Sequence, residues 1–423
     1  MKAPHARYRL YTSWQSYLPF LKNVLLMSTE NVALTTRFEE ELCSFFQVKN
    51  VATVPMCRTA IYLTVKHLVQ PGQDVVMSPY TIADVVNMVI LGGGRPVFAD
   101  IDRSNCNISV ESIESLIHKD TGAVLVTHLH GVAAPIREIC ALCESKGIPV
   151  IEDTAQAFGA KVAGRRLGTF GDVGVYSLGM YKNINAWYGG IITCKNPELF
   201  AAIKQEADSL ALQNRTFLLK RMLNGLSTDI ATHPFLFRMF TFWIFRLGRL
   251  HNIRWINKFV ETELDLSRRE SVPATHLGKM TAAQHKLALL QLDHIDRDNN
   301  IRFEKAAKYR EGLQGIAGMV FPTGDHGGID EAIYTYFPIQ YGNNQDDRQR
   351  LLMYFARHGC DIGPQHLKNC ADLPAFKDSY RDCPNARQTA ESVILLPTYP
   401  AYPDQNIEHN IAVLRDYHMQ LSA

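Results

Sequence analysis

The sequence has almost no excess of charge of either sign. Its 44 lysine and arginine residues nearly balance 42 aspartate and glutamate residues, which leaves a net charge of +2. A protein that binds nucleic acid or a membrane through its overall electrostatic field needs a much larger positive excess. The balance therefore argues against a nucleic-acid partner, and it gives no general reason to expect membrane binding.

The sequence also lacks an apolar stretch of about 20 residues, the length that a membrane-spanning helix needs. It shows no secretion signal, no internal repeat and no low-complexity run. The nine cysteines are an odd number and are scattered along the chain, a pattern typical of a reducing compartment. We therefore expect a cytoplasmic protein.

A metal site is not expected either. Cys140 and Cys143 form one Cys-x-x-Cys pair, but no second pair and no clustered histidines accompany them, as a structural zinc site would require. His128 and His130 lie two residues apart at a predicted strand end and are not expected to converge on one ion. Packing near Asp153 is the expected role of these histidines.

The sequence does contain repeated strand–helix units of about 25 to 30 residues, in which short apolar runs alternate with helical patterns. Such units predict an α/β fold with a mostly parallel sheet and right-handed crossovers. A chain of 423 residues that is 46% hydrophobic is long enough for one large and one smaller domain.

Polar residues follow two of these apolar runs between positions 150 and 196. Asp153 and Gln156 follow one run, and Ser177 and Lys182 follow the next. The carboxyl ends of parallel strands are where α/β proteins place their chemistry. A lysine amine can condense with an aldehyde cofactor, and a carboxylate beside a ring nitrogen keeps that nitrogen protonated. The pattern alone is also compatible with Asp153 as a helix cap and Lys182 as a surface lysine.

The same stretch resembles the signature of the DegT/DnrJ/EryC1/StrS family of pyridoxal-phosphate sugar aminotransferases. It contains E-D-x-A-Q-A at 152–157, G-x-x-x-G-x-x-G-D at 164–172, a serine followed by K-N at 177–183, and G-G at 189–190. The resemblance extends from about Phe38 to the C-terminus with one large interruption. It implies a fold-type I enzyme, with a mostly parallel seven-stranded sheet between helices in the large domain and a smaller α+β C-terminal domain.

The resemblance also implies roles for individual residues around a pyridoxal 5′-phosphate cofactor. Lys182 would bind the cofactor aldehyde and act as the catalytic residue. Asp153 would pair with the pyridine nitrogen, Gln156 would contact the ring oxygen, and Ser177 would hold the phosphate. Asn183, which follows the lysine, is included among the cofactor-binding residues.

A second motif opens a predicted helix, where backbone N–H groups bind phosphate. Thr59 and Ala60 match the S-G-T-A-A sequence of the family, whereas Arg58 replaces its glycine. Arg58 would add positive charge beside the phosphate, crowd the site, or simply be exposed near the helix start. Farther along, Ile82 occupies the position of the aromatic residue that stacks on the ring. Either Tyr80 takes over that role or the aliphatic side chain covers the ring.

The chain divides into an N-terminal arm (1–31), a large cofactor-binding domain (32–209), an insertion (210–272), and a linker helix with the small domain (273–423). The insertion is rich in aromatic and aliphatic residues with arginines between them, above all over 233–260. Three roles remain open for it: a helical hairpin against a partner subunit, contact with a membrane surface, or a lid over a large hydrophobic substrate. Contact with a membrane would make the cytoplasmic protein peripheral.

The resemblance implies an aminotransferase that forms a homodimer. Glutamate is the expected amino donor, and a nucleotide- or lipid-linked keto-sugar or another biosynthetic intermediate is the expected keto acceptor. Tyr188 replaces an acid before the paired glycines, and Leu277 replaces an asparagine, so the substrate pocket differs from that of the family. Two alternatives therefore stay open: elimination or carbon–carbon bond chemistry on the same cofactor, and a catalytically silent scaffold.

Overall fold

The computed structural model describes residues 3–10, 16–26, 31–257, 265–322, 332–342 and 344–422. Its largest element is a seven-stranded sheet with the strand order β1-β7-β6-β5-β4-β2-β3. The strands are β1 (Val51–Val54), β2 (Asp74–Met77), β3 (Arg95–Phe98), β4 (Thr121–Thr127), β5 (Val150–Asp153), β6 (Val173–Ser177) and β7 (Gly190–Cys194). All neighbours are parallel except β7, which is antiparallel to both β1 and β6. The predicted α/β class and the mostly parallel seven-stranded sheet are thus confirmed.

Helices cover both faces of this sheet, and every residue of β4 and β5 is buried, as expected of parallel strands between helical layers. The helices of the large domain are Val32–Phe46, Cys57–Leu68, Ala83–Leu91, Val110–Glu114, Ile136–Ser145 and Pro197–Ser209. Helix starts follow capping signals in the sequence. Asn31 accepts the N–H of Leu34 at 3.0 Å, and Asn196 caps the helix that begins at Pro197.

The small domain is built on a four-stranded antiparallel sheet with the order β8-β9-β11-β10. These strands are β8 (Met319–Val320), β9 (Phe337–Tyr341), β10 (Gly363–Pro364) and β11 (Val393–Leu396). The helices around it are Ile295–Leu313, Gln345–Arg357, Pro384–Ser392 and Asp404–Ser422, whereas the preceding helix Ala282–Leu292 packs against the large domain and the N-terminal arm. Two short strands, Tyr80–Thr81 and Lys368–Asn369, pair with each other and connect the large domain to the small domain.

The N-terminal arm and the insertion pack against each other and contact both the large domain and the small domain. Their helices are Tyr17–Leu26, Arg215–Ala231, Pro234–Leu236, Phe242–Leu250 and Arg254–Asn257, with a π-helical turn over Phe237–Thr241. The hydroxyl of Tyr17 donates to Asp229 at 2.5 Å, and its ring stacks on Trp187 at a centroid distance of 5.4 Å. The last three residues of the predicted contact segment 233–260 lie outside the described residues. No helix in the described part of the chain is long and apolar enough to cross a bilayer.

Candidate functional site

The carboxyl edge of the central sheet brings the polar residues of the key stretch together. Asp153 is the last residue of β5, and the strand register places it beside Thr127 of β4 and Val175 of β6. Ser177 ends β6, and Lys182 lies in the loop between β6 and β7. Because β4, β5 and β6 are parallel, their carboxyl ends share one edge, where chemistry is commonly located.

The surroundings of Lys182 favour a neutral amine. Lys182 is half-buried, and burial lowers the pKa of its ammonium, with a smaller effect in the same direction from Arg58. Asp153 and Cys57 act in the opposite direction and raise this pKa. The net lowering increases the fraction of neutral amine near pH 7, and the neutral amine is the form that attacks a carbonyl group.

Asp153 is a buried carboxylate that accepts hydrogen bonds but forms no direct ion pair with any residue that the structure describes. Its Oδ1 accepts the N–H of Ala155 at 2.9 Å and the thiol of Cys57 at 3.6 Å. Burial raises the pKa of Asp153, while these two donors and the charge of Lys182 oppose the shift. A buried carboxylate in this position can be stabilised by a cationic ring nitrogen, which in turn stays protonated.

The helix Cys57–Leu68 begins at this edge and offers an anion site. Its N-cap residue, Met56, makes no side-chain hydrogen bond, so the first N–H groups of the helix are left for an anion. A Cβ on Gly190 would lie 2.5 Å from the backbone carbon of Met56, so only glycine lets β7 approach the helix start this closely. Ser177 pairs with Gly190 in the sheet and accepts the N–H of Gly179 at 3.2 Å. The hydroxyl hydrogen of Ser177 therefore remains for a phosphate oxygen.

Thr59 and Ala60, the two motif residues that match the family, already have hydrogen-bond partners within the protein. The Thr59 hydroxyl donates to the carbonyl of His276 at 2.5 Å, so Thr59 can contact a phosphate through its backbone N–H. The N–H of Ala60 donates to the Met56 carbonyl at 2.9 Å, and its methyl group is fully buried. This geometry does not support the predicted cofactor contact of Ala60, which contributes packing instead.

Arg58 is held in place by a carboxylate that it shares with a second arginine. Its Nη1 lies 2.7 Å from Asp84 Oδ2, and the Nε of Arg269 lies 2.5 Å from Asp84 Oδ1. Asp84 is almost completely buried, whereas Arg58 is 40% exposed. Arg58 is therefore not a freely solvated side chain, because the ion pair with Asp84 fixes its guanidinium.

Gln156 is oriented by the backbone. The side-chain Oε1 of Gln156 accepts the N–H of His130 at 2.9 Å, and the backbone carbonyl of Gln156 accepts the hydroxyl of Thr335 at 2.5 Å. The Oε1 atom of the side-chain amide is thus occupied, and the two hydrogens on its nitrogen remain available to an acceptor such as a ring oxygen.

Two predicted cofactor-binding residues, Tyr80 and Asn183, are buried and contact other parts of the protein. Tyr80 belongs to a hydrophobic core cluster, and its ring lies 6.3 Å from that of His130. The neighbouring Ile82 is half-buried, which favours the aliphatic alternative for covering a ring. Asn183 uses its amide nitrogen on the carbonyl of Phe158 (2.8 Å) and on Asn299 (3.1 Å), and these bonds position the Lys182 loop.

His128 and Glu152 form a buried hydrogen-bonded pair next to Asp153. Ala134 donates its N–H to Nδ1 of His128, so Nε2 carries the ring hydrogen and donates to Glu152 at 3.1 Å. Glu152 also accepts the N–H groups of Gly168 and Gly171 at 2.9 and 2.6 Å. Its buried carboxylate is thereby satisfied. The described residues contain no group of three metal-ligating side chains.

Sequence reasoning missed four side chains that lie near Lys182 or near Arg58. Cys57 and His366 lie near it directly, and Arg221 and His276 lie near Arg58. Cys57 adjoins the recognised motif but is not a usual ligand, and Arg221 lies in the insertion, where the family pattern gives no guide. These positions carry no local signal, because only the tertiary fold brings them to the site.

A family model matches most of the chain. The model described as the DegT/DnrJ/EryC1/StrS aminotransferase family matches residues 26–220 and 255–415. It leaves 221–254, the central part of the insertion, unmatched.

Named relatives and solved structures agree with this match. The chain is 32% identical to a GDP-perosamine synthase of Escherichia coli O157:H7, over 88% of this chain and 86% of the relative. It is 33% identical to a dTDP-4-dehydro-2,3,6-trideoxy-D-glucose 4-aminotransferase of Saccharopolyspora spinosa, with the same coverage. The fold is similar to that of the aminotransferase TlmJ from Streptoalloteichus hindustanus, with a TM-score of 0.73, 22% identity, and coverage of 97% of this chain and 98% of that chain.

Proposed function

The chain belongs to the DegT/DnrJ/EryC1/StrS aminotransferase family, and from this membership we propose that it transfers the amino group of glutamate to a keto-sugar carried on a nucleotide diphosphate. As a member of this family, it is a pyridoxal-phosphate-dependent transferase. The observation that carries the substrate proposal is the pair Arg58 and Arg221: Arg58 acts on Lys182, Arg221 lies close to Arg58, and among the described residues only Arg58 of the two pairs with a carboxylate.

The residues at the sheet edge fit the cofactor. They supply a lysine amine of lowered pKa, a buried carboxylate at Asp153, a helix start without a side-chain cap and the hydroxyl of Ser177. Pyridoxal phosphate supplies an aldehyde and an electron-withdrawing ring when it is bound. Lys182 would hold the aldehyde carbon, Asp153 the ring nitrogen, and Ser177 together with the helix start the phosphate. Gln156 would donate to the ring oxygen.

The proposed role of the chain in the reaction is proton movement and charge placement. Once the amino group of the donor has replaced it on the aldehyde carbon, the freed Nζ of Lys182 would take the proton from the α-carbon of the donor. It later returns a proton to the acceptor carbon that receives the amino group. Asp153 keeps a positive charge on the ring nitrogen through both half-reactions, because the ion pair favours the charged form.

The arginine group offers more positive charge than the cofactor phosphate requires. Arg58 and Arg269 share the carboxylate of Asp84, and Arg269 pairs with Asp265 as well. Arg221, on the helix Arg215–Ala231, lies close enough to Arg58 that the two charges act on each other. Burial of the Arg221 guanidinium lowers its pKa, and Arg58 lowers it further. A partly buried cluster of like charges is costly unless an anion enters it.

Arg221 is the member of this group best suited to a substrate. No carboxylate among the described residues pairs with it, and its guanidinium lies over the ring of Phe217 at 5.2 Å. Phe217 in turn packs edge-on against Tyr188 at 5.3 Å. Tyr188 is thus part of an aromatic wall that holds an arginine in place of the family's acid. A diphosphate group, which arginine binds with paired hydrogen bonds, matches this wall.

Separate measurement of the two half-reactions tests the proposal. Addition of glutamate to the purified holoenzyme should change the cofactor spectrum from the aldehyde form to the amine form. Arg221→Gln should leave that step unchanged. Because a hydrogen bond to a charged group contributes about 1.5–3 kcal/mol, the affinity for inorganic pyrophosphate, used as a probe, should fall by about 10- to 100-fold.

A second variant on the same helix serves as the control for Arg221→Gln. Lys220→Gln, an exposed cation on the same helix, should leave both steps unchanged. A glutamate step that weakens in Arg221→Gln while pyrophosphate binding stays normal would assign the anion site to the donor carboxylate. Absence of a spectral change with glutamate would favour non-transaminating chemistry, and a purified protein without cofactor would favour a scaffold.

The proposal also includes a homodimer in the cytoplasm. A groove of about 610 Å³ lies between the arm helix Tyr17–Leu26 and the helix Ala282–Leu292, and apolar residues such as Phe20, Leu287 and Leu290 line it. Leu290 is 58% exposed, which suits burial by a second copy. The cysteines are all free thiols, in keeping with a reducing compartment. Light scattering on the eluted holoenzyme measures the oligomeric state, and a monomer would contradict this part of the proposal.

A further inference from the structure

One side of the insertion carries a row of large apolar side chains that are exposed to solvent. Residues 234–250 form a continuous helical run through the π-helical turn. Six of its side chains, called here the aromatic face, are 42–63% exposed: Phe235, Met239, Phe240, Trp243, Ile244 and Leu247. They follow one another at intervals of four, one, three, one and three residues, so neighbouring members lie on a common side of the helix.

The opposite side fixes this helix to the protein. Phe237 and Phe242 are buried against Ala6 of the arm. Arg246 donates through Nε to the carbonyl of Ala356 at 3.0 Å, and Arg249 donates to the carbonyl of Ile362. The helix is therefore held by its buried side, and its aromatic face stays outward at a cost of hydration free energy.

The charges around the aromatic face have one sign. No aspartate or glutamate occurs between residues 230 and 260, whereas five arginines and lysines do. Arg238 and Arg254 are exposed. Two carboxylates belong to elements packed near this helix: Asp229 accepts the hydroxyl of Tyr17, and Asp361 accepts the backbone N–H of Arg7 and acts on the buried Arg249 rather than on the exposed arginines.

We infer that the aromatic face docks this enzyme on an anionic lipid bilayer. A helix with aromatic and aliphatic residues on its outer side and arginines at its border lies in the membrane interface, where the rings enter the headgroup region and the arginines meet lipid phosphates. Trp243 is suited to that boundary, because its indole N–H is satisfied by the carbonyl of Arg238 at 3.0 Å.

The charges favour lipid over a second copy of the chain as the partner. Two copies joined through the aromatic face would bring the borders with Arg238 and Arg254 close together, with no carboxylates on the same segment to compensate. The face lies within 221–254, the stretch that the family model does not match. The inference does not depend on the identity of the substrate, since none of its residues contacts the Lys182 site in the described structure.

Sedimentation of the full-length holoenzyme with vesicles tests this inference. The protein should pellet with phosphatidylcholine vesicles that contain phosphatidylglycerol and should remain in solution with phosphatidylcholine alone. Phe240→Gln with Leu247→Gln should lower partitioning by at least about tenfold, because each change removes a large apolar side chain from the interface. Arg238→Gln with Arg254→Gln should also lower it by about tenfold at low salt.

Met419→Gln with Leu421→Gln provides the matched control, since both residues are 61% exposed on the C-terminal helix. This pair should partition as the wild type does, and all variants should keep the glutamate half-reaction. Equal pelleting by the Phe240→Gln, Leu247→Gln variant and the wild type would overturn the inference. Loss of a wild-type oligomer in that variant, measured by light scattering, would instead assign the face to contact between copies and would also overturn it.

Discussion

The thiol of Cys57 lies 3.6 Å from the carboxylate of Asp153 and donates to it. Burial raises the pKa of the Cys57 thiol well above its usual value, so the sulfur keeps its hydrogen. This bond joins the first turn of the helix Cys57–Leu68 to the end of β5. It therefore couples the proposed phosphate site to the proposed ring-nitrogen site.

Replacement of Cys57 should move the pH dependence of the enzyme. Cys57→Ala removes a donor that lowers the pKa of Asp153, so the acid limb of kcat should shift to higher pH. Cys57→Ser keeps a donor, and a hydroxyl is a stronger donor than a thiol, so its acid limb should not shift upward. The measurement is kcat and cofactor absorbance against pH. Identical profiles for the alanine variant and the wild type would show that the bond does not control Asp153.

Replacement of Lys182 should remove catalysis while leaving the fold intact. Lys182→Ala loses the amine that holds the aldehyde and moves the protons, so the visible absorbance of the bound cofactor should disappear and activity should fall by about 100- to 10,000-fold. Circular dichroism of the apoprotein is the control for folding. Visible absorbance that persists in the variant would mean that another amine holds the cofactor.

The pH dependence of the rate at which the apoprotein takes up pyridoxal phosphate should report the pKa of Lys182. Burial lowers this pKa and Asp153 raises it, so the uptake rate should level off at a pH below the usual lysine value of about 10.4. In Asp153→Asn the rate should level off at a still lower pH, because the charge that favours the ammonium is gone. Stopped-flow absorbance gives these rates. A midpoint that moves upward in Asp153→Asn would contradict the arrangement.

Asp153→Asn should also stabilise the apoprotein near neutral pH while it abolishes activity. Burial raises the pKa of Asp153 in the folded chain. The stabilisation that this group provides is therefore present below its unfolded pKa of about 3.9 and is lost as the pH rises through its folded pKa. The melting temperature of the variant should exceed that of the wild type at pH 7, and the difference should shrink in acid. A lower melting temperature at pH 7 would show that Asp153 is already well compensated.

The sequence sufficed to place the residues that lie at strand ends. Asp153 and Lys182 are 29 positions apart, yet both follow buried apolar runs, and parallel strands bring such ends to one edge. For Tyr80 and Ile82, spacing alone could not tell which side of a short strand faces the core. In the fold Tyr80 is fully buried in the core, and Ile82 is half-buried against it.

Residues that arrive from other parts of the fold could not be predicted. Arg221 reaches Arg58 from the helix Arg215–Ala231, which the family model matches only as far as residue 220, and His276 binds Thr59 through its carbonyl. A backbone carbonyl as a partner leaves no mark on the sequence at all. The sequence likewise gave no sign that the amide nitrogen of Asn183 would bind Phe158 and Asn299.

The shared carboxylate of Asp84 predicts a strongly non-additive pair of substitutions. Arg58→Ala or Arg269→Ala alone leaves Asp84 with one arginine, so each should cost about 0.5–1 kcal/mol, as a partly exposed ion pair does. The double variant leaves a buried carboxylate without either arginine, which should cost about 3–5 kcal/mol. Urea unfolding of the apoproteins measures all three values. Costs that simply add would mean that Asp84 does not depend on this pair.

Gly190→Ala should weaken cofactor binding without unfolding the sheet. The new Cβ would lie 2.5 Å from the carbon of Met56 and 2.6 Å from the nitrogen of Cys57, and neither backbone atom can move without moving the helix start. Displacement of that start shifts the first N–H groups away from the phosphate, and overpacking of this kind costs about 1–3 kcal/mol. Gly179→Ala is the control, because its Cβ would meet only the Ser177 hydroxyl at 3.3 Å and the Lys182 stem at 3.8 Å. Equilibrium dialysis of pyridoxal phosphate should show reduced affinity for Gly190→Ala and a smaller change for Gly179→Ala. Equal affinities for Gly190→Ala and the wild type would mean that the start of the helix Cys57–Leu68 does not hold the phosphate.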